Sequence, residues 1–175
     1  MNIYFDIETT GFDKVKDNII TIQYQEINSN GIPKSDLVIL KEWESSEEEI
    51  VKKIYNELIK KGDWNWVLVG TNLIFDLTFL WAKFNKYNFE VVLLSEFLYS
   101  HPIIDIKYML VMMNNLSFKG AGLDQMTNKK TDGRMIPQFY MRKEYKQIEL
   151  YIEDETNAFL EFFQKCMQQL PKLIK

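Results

Sequence analysis

Three short acid-bearing segments of this chain have the residue types and spacing to do chemistry. Asp6 and Glu8 stand at i and i+2 in a stretch of bulky, β-favouring residues from Asn2 to Ile7. On a strand, both carboxylates leave the same face, while Phe5 and Ile7 leave the other. Asp76 follows an apolar segment that ends at Gly70, in the run Gly70-Thr71-Asn72-Leu73-Ile74-Phe75-Asp76, where a helical pattern begins. Tyr151-Ile152-Glu153-Asp154-Glu155 lies in the last helical pattern, with Tyr151 and Glu155 one turn apart on one face. Carboxylates beside an apolar strand are costly unless they are solvated or hold cations. Hard divalent cations such as Mg²⁺ take oxygen ligands, usually a few carboxylates with water and substrate phosphate. Two such ions, about 3.5–4 Å apart, activate a water and stabilise a leaving oxygen in phosphodiester cleavage. Asp6, Glu8, Asp76 and one acid of the last helix are ligands of the right type and number. Tyr151 would be a proton acceptor or a water-orienting group.

The rest of the composition narrows the alternatives. The 175 residues hold one cysteine, Cys166, and one histidine, His101. An intrachain disulfide is impossible, and a structural zinc site, which needs four mostly Cys or His ligands, cannot be assembled. A Ser-His or Cys-His nucleophilic site would have to use His101. Hydrophobic residues make up 46% and charged residues 26%, the balance of a globular chain with a real core. The net charge of −4 and pI near 5.2 argue against a protein that coats duplex nucleic acid, so contact with nucleic acid should be local. Between Lys107 and Lys146, eight Lys or Arg face only Asp124, Asp132 and Glu144, a local +5. That segment is either a solvated loop or a phosphate-contacting patch. No apolar run approaches the ~20 residues of a membrane span, and no signal-peptide pattern opens the chain. A cytoplasmic protein with no membrane association is expected.

The elements that must position the acids follow from period and turn chemistry. Ile19 to Ile27 alternates, with Ile20, Ile22 and Tyr24 on one face and Thr21, Gln23 and Gln25 on the other, as in a half-buried strand. Asn28-Ser29-Asn30-Gly31 marks a turn, and Leu37 to Leu40 completes a hairpin. Ser46 and Glu49 form a capping box for a helix carrying Ile50, Val51, Ile54 and Leu58, with Gly62 as its stop. Trp66 to Val69 reads as a strand, Phe75 to Tyr87 as a helix, and residues 90–118 as short helices around a brief strand at Ile103-Ile104-Asp105. Segment 119–140 has little period and reads as irregular. A long helix is predicted from Arg142 to Leu170, with Ile148, Ile152, Phe159, Phe163 and Met167 as its apolar stripe. Hairpins followed by strand–helix alternation predict an α/β fold, a mixed sheet with helices packed on it.

These residues carry a resemblance. Asp6-Ile7-Glu8-Thr9-Thr10-Gly11-Phe12 resembles the first motif of the DEDD superfamily of 3′–5′ exonucleases, which have a ribonuclease H-like fold. Gly70-Thr71-Asn72-x-x-Phe75-Asp76-x-x-Phe79-Leu80 resembles the second motif. Asp105 with Leu123-Asp124 is similar to the region before the third. Tyr151 with an acid four residues on resembles the tyrosine version of that third motif, found in polymerase proofreading domains. The resemblance spans nearly the whole chain as one domain, residues 1–175. It implies a five-stranded sheet of three antiparallel strands and then two parallel ones, with helices on both faces. It implies that Asp6, Glu8, Asp76 and an acid of the third motif bind two Mg²⁺ or Mn²⁺ ions, with Glu8 near the attacking water and Tyr151 orienting it. Thr10, Gly11 and Phe12 would contact the terminal nucleotide, Phe12 as a wedge, and Asn72 would shape the cleft. The substrate would be the 3′ end of single-stranded DNA or RNA. A separate polymerase, repair or RNA-processing protein is a possible partner.

One position departs from the pattern. The family has Asp where this chain has Glu155. Asp154 has the expected type but lies one position off, rotated about 100° around the helix, with Leu150 rather than Tyr151 one turn before it. Glu155 is the preferred ligand and Asp154 the alternative. The longer side chain also leaves open a catalytically weak or inactive nuclease-like module that binds nucleic acid or protein. The bland readings are Asp105 as a helix cap, His101 as a loop residue, Cys166 as a reduced core thiol, and Trp64 and Trp66 as packing around the central strand.

Overall fold

The first strand, β1 (Asn2–Thr9), is the centre of the sheet, with two strands on either side of it. In the computed structural model, which describes residues 1–59, 67–99, 102–127 and 131–173, β2 (Ile19–Ile27) runs antiparallel to one edge of β1 and β3 (Val38–Lys41) antiparallel to β2. On the other edge lie β4 (Val67–Gly70), parallel to β1, and β5 (Ile103–Asp105), parallel to β4. The order β3-β2-β1-β4-β5 is the mixed five-stranded sheet expected from the sequence.

Alternation along β1 divides the two faces. Ile3, Phe5 and Ile7 enter a core with α1 (Glu47–Ile54), α2 (Leu73–Lys86) and Phe97 of α3 (Leu94–Tyr99). Tyr4 leaves the other face and packs with α4 (Lys107–Met113) and with Phe159, Leu160 and Phe163 of the long α7 (Tyr145–Gln169). Asp6 and Glu8 share the face of Tyr4, so they lie beneath α7. Helices therefore cover both faces.

Four sequence expectations change. Ile20 does not share the face of Ile22: a register shift at Glu8/Thr9 turns Ile20 toward Ile148, Tyr151 and Ile152, while Ile22 joins the opposite core. β2 is also not half-buried, because Thr21 and Gln23 are fully covered. Segment 119–140 contains α5 (Leu123–Met126) and α6 (Ile136–Met141), too short for a period to be read. The last helix starts at Tyr145 because Lys143 has φ 58°, a left-handed residue that breaks the run from α6. Gly62, Trp64, Trp66, His101, Lys129 and Lys130 lie outside the described residues. The Ser46 cap is as expected, its side chain accepting from the Glu49 amide at 3.2 Å.

A buried ionic cluster fastens the turn after β1 to the helices beneath it. Lys83 of α2 is fully buried and donates to the Asp17 carbonyl. Its ion-pair partner Glu47, 3.3 Å away, also accepts from Lys86 at 2.6 Å, Tyr87 at 2.5 Å and the Ile19 amide at 2.8 Å. Burial pushes the Glu47 carboxyl up, but Lys86, Tyr87, the Ile19 amide and Lys83 outweigh it and hold it below its ordinary range. Removing one partner of a buried pair strands the other charge, so Glu47→Ala should cost about 3–5 kcal/mol in denaturant unfolding at neutral pH. Because the folded-state value is lowered, this contribution is present above the unfolded carboxyl pKa, about 4.3, and is lost as pH falls through the folded value. The difference between wild type and Glu47→Ala should accordingly narrow in acid.

Candidate active site

Strand alternation and helix spacing bring three carboxylates together. Asp6 and Glu8 come from β1 and Glu155 from the middle of α7, and one ligand oxygen of each lies within 4.8 Å of the others. Asp76, in the first turns of α2, is buried beside them. Burial pushes its carboxyl well above the ordinary range, and the charges of Asp6, Asp105 and Glu155 push it further. Its Oδ2 is buried with no hydrogen-bond donor among the described residues.

The structure separates Glu155 from Asp154. Asp154 Oδ2 accepts from the Thr131 amide at 3.2 Å and the Thr131 hydroxyl at 2.8 Å, which ties the segment before α6 to α7. Glu155 faces the β1 acids instead. Tyr151, one turn earlier, is buried with its hydroxyl bonded to Glu155. Burial raises the Tyr151 hydroxyl far above its usual range, and the charges of Glu8, Glu155 and Asp6 add to this. Gly133 packs on that hydroxyl so closely that a Cβ there would lie 2.6 Å from it. Tyr4 forms the floor: its hydroxyl accepts from Thr156 at 3.4 Å and is raised by burial and by Asp6 and Glu155.

Backbone devices aim the other acids. Asn72 has φ 64°, and its amide donates to Asp105 Oδ1 at 2.8 Å. The same oxygen accepts from the Lys107 amide at 2.9 Å, so Asp105 caps α4 and also fixes the turn from which α2 carries Asp76. Asp6 is held from β2, where the Gln23 amide nitrogen donates to its Oδ2 at 2.6 Å.

The turn after β1 is organised by the Asp17 carboxylate. It accepts from the Thr10 hydroxyl at 3.3 Å and the Asp13 amide at 2.8 Å. A Cβ at Gly11 would collide with it, which is a structural reason for glycine at that position. Phe12 stands 87% exposed at the tip, edge-on to Phe75 with centroids 6.2 Å apart. The structure thus gathers Asp6, Glu8, Asp76, Tyr151 and Glu155, with Asn72 and the Thr10–Phe12 turn anchored by separate networks. The basic segment is less uniform than its count suggests. Arg134 is forked onto Asp132 at 2.7 Å, Lys146 lies 3.4 Å from Glu149, and Lys107 Nζ donates to the Ala121 carbonyl at 3.1 Å, while Lys119, Arg142 and Lys143 are exposed. Sequence reasoning passes over Gln23, Gly133 and the Asp154–Thr131 tie. The alternation of β2 puts Gln23 on a polar face, but only the register sets it opposite Asp6.

The donor set fits hard divalent cations. All four acids offer oxygen, no His or Cys is among them, and crowding three half-buried carboxylates beside the buried Asp76 calls for positive charge. A family model described as the RNase_H superfamily matches residues 3–161. The chain belongs to the RNase_H superfamily. No curated protein matches it in sequence. Among solved structures, the zinc-bound Escherichia coli ExoI–ssDNA complex superposes with a TM-score of 0.69 at 10% identity, over 99% of this chain and 41% of that one. E. coli exonuclease I with a dT13 oligonucleotide gives 0.69 at 10%, over 99% and 42%. Exonuclease I from Methylocaldum szegediense gives 0.51 at 17%, over 68% and 30%. This RNase_H-superfamily chain thus shares its fold with the matched part of E. coli exonuclease I and spans about two fifths of that chain's length. Among the described residues, no helix is long and apolar enough to cross a membrane.

Because the folded-state value of Asp76 is raised, its site loses stability as pH rises through that value. Relieving a buried, desolvated charge is worth about 1 kcal/mol or more, or ~2–4 °C in Tm for a chain of this size. Calorimetry in chelator should therefore find Asp76→Asn melting higher than wild type at pH 8, with the gap closing near pH 4. An Asp76→Asn variant that melts lower than wild type at pH 8 contradicts this electrostatic description.

Proposed function

We propose that this chain is a metal-dependent 3′–5′ exonuclease domain, spanning residues 1–175, that hydrolyses single-stranded DNA or RNA ends and releases nucleoside monophosphates. The convergence of Asp6, Glu8 and Glu155, with Asp76 buried beside them, is the observation that carries the reading. In this reading Asp6, Glu8, Asp76 and Glu155 hold two Mg²⁺ or Mn²⁺ ions. When bound, such ions activate a water and stabilise the oxygen that leaves phosphorus. Glu8 would stand near the attacking water. Tyr151 keeps its proton, as burial and the surrounding carboxylates require, so it orients the water and Glu155 rather than acting as a base. The water oxygen forms the new bond to phosphorus, the bond to the preceding nucleotide's 3′ oxygen breaks, and that oxygen leaves as a hydroxyl.

Substrate contacts fall to the turn after β1 and to the start of α2. The exposed ring of Phe12, supported by Phe75, suits stacking or wedging at a terminal base, a contact that needs little charge and agrees with pI 5.2. Thr10 and Gly11 shape that turn, and Asn72 would help shape the cleft at the start of α2. ExoI and exonuclease I in the matched structures are bound to ssDNA and to a dT13 oligonucleotide, which supports a single-stranded substrate. One matched structure is described as SSB/Exonuclease I, in line with a separate nucleic-acid-processing partner for this chain. A cytoplasmic location is part of the same proposal. Glu155 replaces the Asp of the family pattern, yet its carboxylate meets Asp6 and Glu8, which favours an active enzyme over an inert module.

The test is cleavage of 5′-labelled single-stranded DNA and RNA with Mg²⁺, Mn²⁺ or chelator. A ladder shortening from the 3′ end is expected, absent in chelator and in Asp6→Ala. Phe12→Ala should raise KM by about fivefold or more, from the ~1–3 kcal/mol of one base stack, with a smaller change in kcat. Folded protein that cleaves neither strand with either metal contradicts the proposal.

A further inference from the structure

Resting on the metal-dependent reading above, we propose that Gln23 is a positioning residue for the metal site, acting through Asp6. Gln23 is fully buried in β2 and pairs directly with Asp6 across the antiparallel β1–β2 ladder. Its Nε2 donates to Asp6 Oδ2 at 2.6 Å, and the hydroxyl of Thr21, also fully buried, donates to its Oε1 at 3.0 Å. The polarity of this chain is forced. An ionised carboxylate only accepts, so the amide must present its NH₂ end to Asp6. Its carbonyl end then faces Thr21, whose hydroxyl supplies a proton. Thr21 and Gln23 stand at i and i+2, so strand alternation puts both on the face of the acids.

The chemistry of the donor matters as much as its place. A lysine or arginine opposite Asp6 would compete with a cation for the carboxylate. A neutral amide fixes the rotation of Asp6 and leaves its charge in place. Partners of this kind orient metal ligands, and their loss commonly weakens metal binding about 10–100-fold. Gln23 touches neither the reacting phosphate nor the ion in this account, and its effect passes entirely through Asp6.

The test is Mn²⁺ binding, read from the free-ion electron paramagnetic resonance signal, for wild type, Gln23→Leu, Thr21→Val, Asp6→Asn and the Asp6→Asn/Gln23→Leu double variant. Melting in chelator checks that each is folded. Gln23→Leu should weaken the Kd by about tenfold or more. Thr21→Val, which releases only the far end of the amide, should weaken it by about two- to fivefold. In the Asp6→Asn background, Gln23→Leu should cost nothing further, the signature of action through Asp6. A folded Gln23→Leu with wild-type Kd overturns the proposal, as does an equal loss in both backgrounds. Should Gln23→Leu not fold, Thr21→Val decides alone, and a wild-type Kd for it overturns the proposal. Wild-type protein that binds no Mn²⁺ overturns the metal reading itself, and this inference with it.

Discussion

Like charges gathered in one sparsely solvated place repel each other, and losing their water costs more still. That is the constraint on which the rest of this structure depends. β1 is the central strand, paired on both edges, and it points Asp6 and Glu8 at the face that α7 covers with Glu155. Asp76 comes in from α2 with its carboxyl pushed up by burial and by its neighbours' charges. A fold optimised only for stability would not assemble these groups. A divalent cation bound among them would replace their mutual repulsion with attraction to a shared positive charge, which ties the arrangement to function.

Each acid is aimed by a different local device. Gln23 and Thr21 hold Asp6 from the neighbouring strand. Asp105 fixes the left-handed Asn72 and so the start of α2. Asp154 ties Thr131 to α7, close in sequence to the Gly133 that packs on the Tyr151 hydroxyl. The Lys83–Glu47 cluster anchors the turn that presents Phe12. These devices use neutral donors and backbone amides near the acids and place the buried cation, Lys83, beneath the turn. The site keeps its negative potential while its scaffold remains fixed.

Much of this is legible in the sequence, and the reasons are specific. Asp6 and Glu8 can be placed on one face because alternation is local. Tyr151 and Glu155 can be paired because helical spacing is local. The strand order follows from a hairpin and then crossovers. Helical spacing from Tyr151 favours Glu155 over Asp154, but what occupies Asp154 instead, Thr131, lies more than twenty residues away in the chain and is invisible to that spacing. Alternation puts Ile20 on the wrong face because the β1–β2 bulge belongs to the pairing of two strands, not to either strand alone. Gln23 looks like an ordinary polar position until the register sets it against Asp6. Long-range register and backbone strain are the features that composition and period do not encode.

The proposed function stands or falls on whether the four carboxylates form a divalent-cation site. The most direct measurement is an anomalous difference map at the Mn absorption edge from crystals grown with Mn²⁺ and a nucleoside monophosphate. Strong anomalous density among Asp6, Glu8, Glu155 and Asp76 is expected. Well-ordered acids with no anomalous density among them, or Mn²⁺ bound only elsewhere on the molecule, would contradict it.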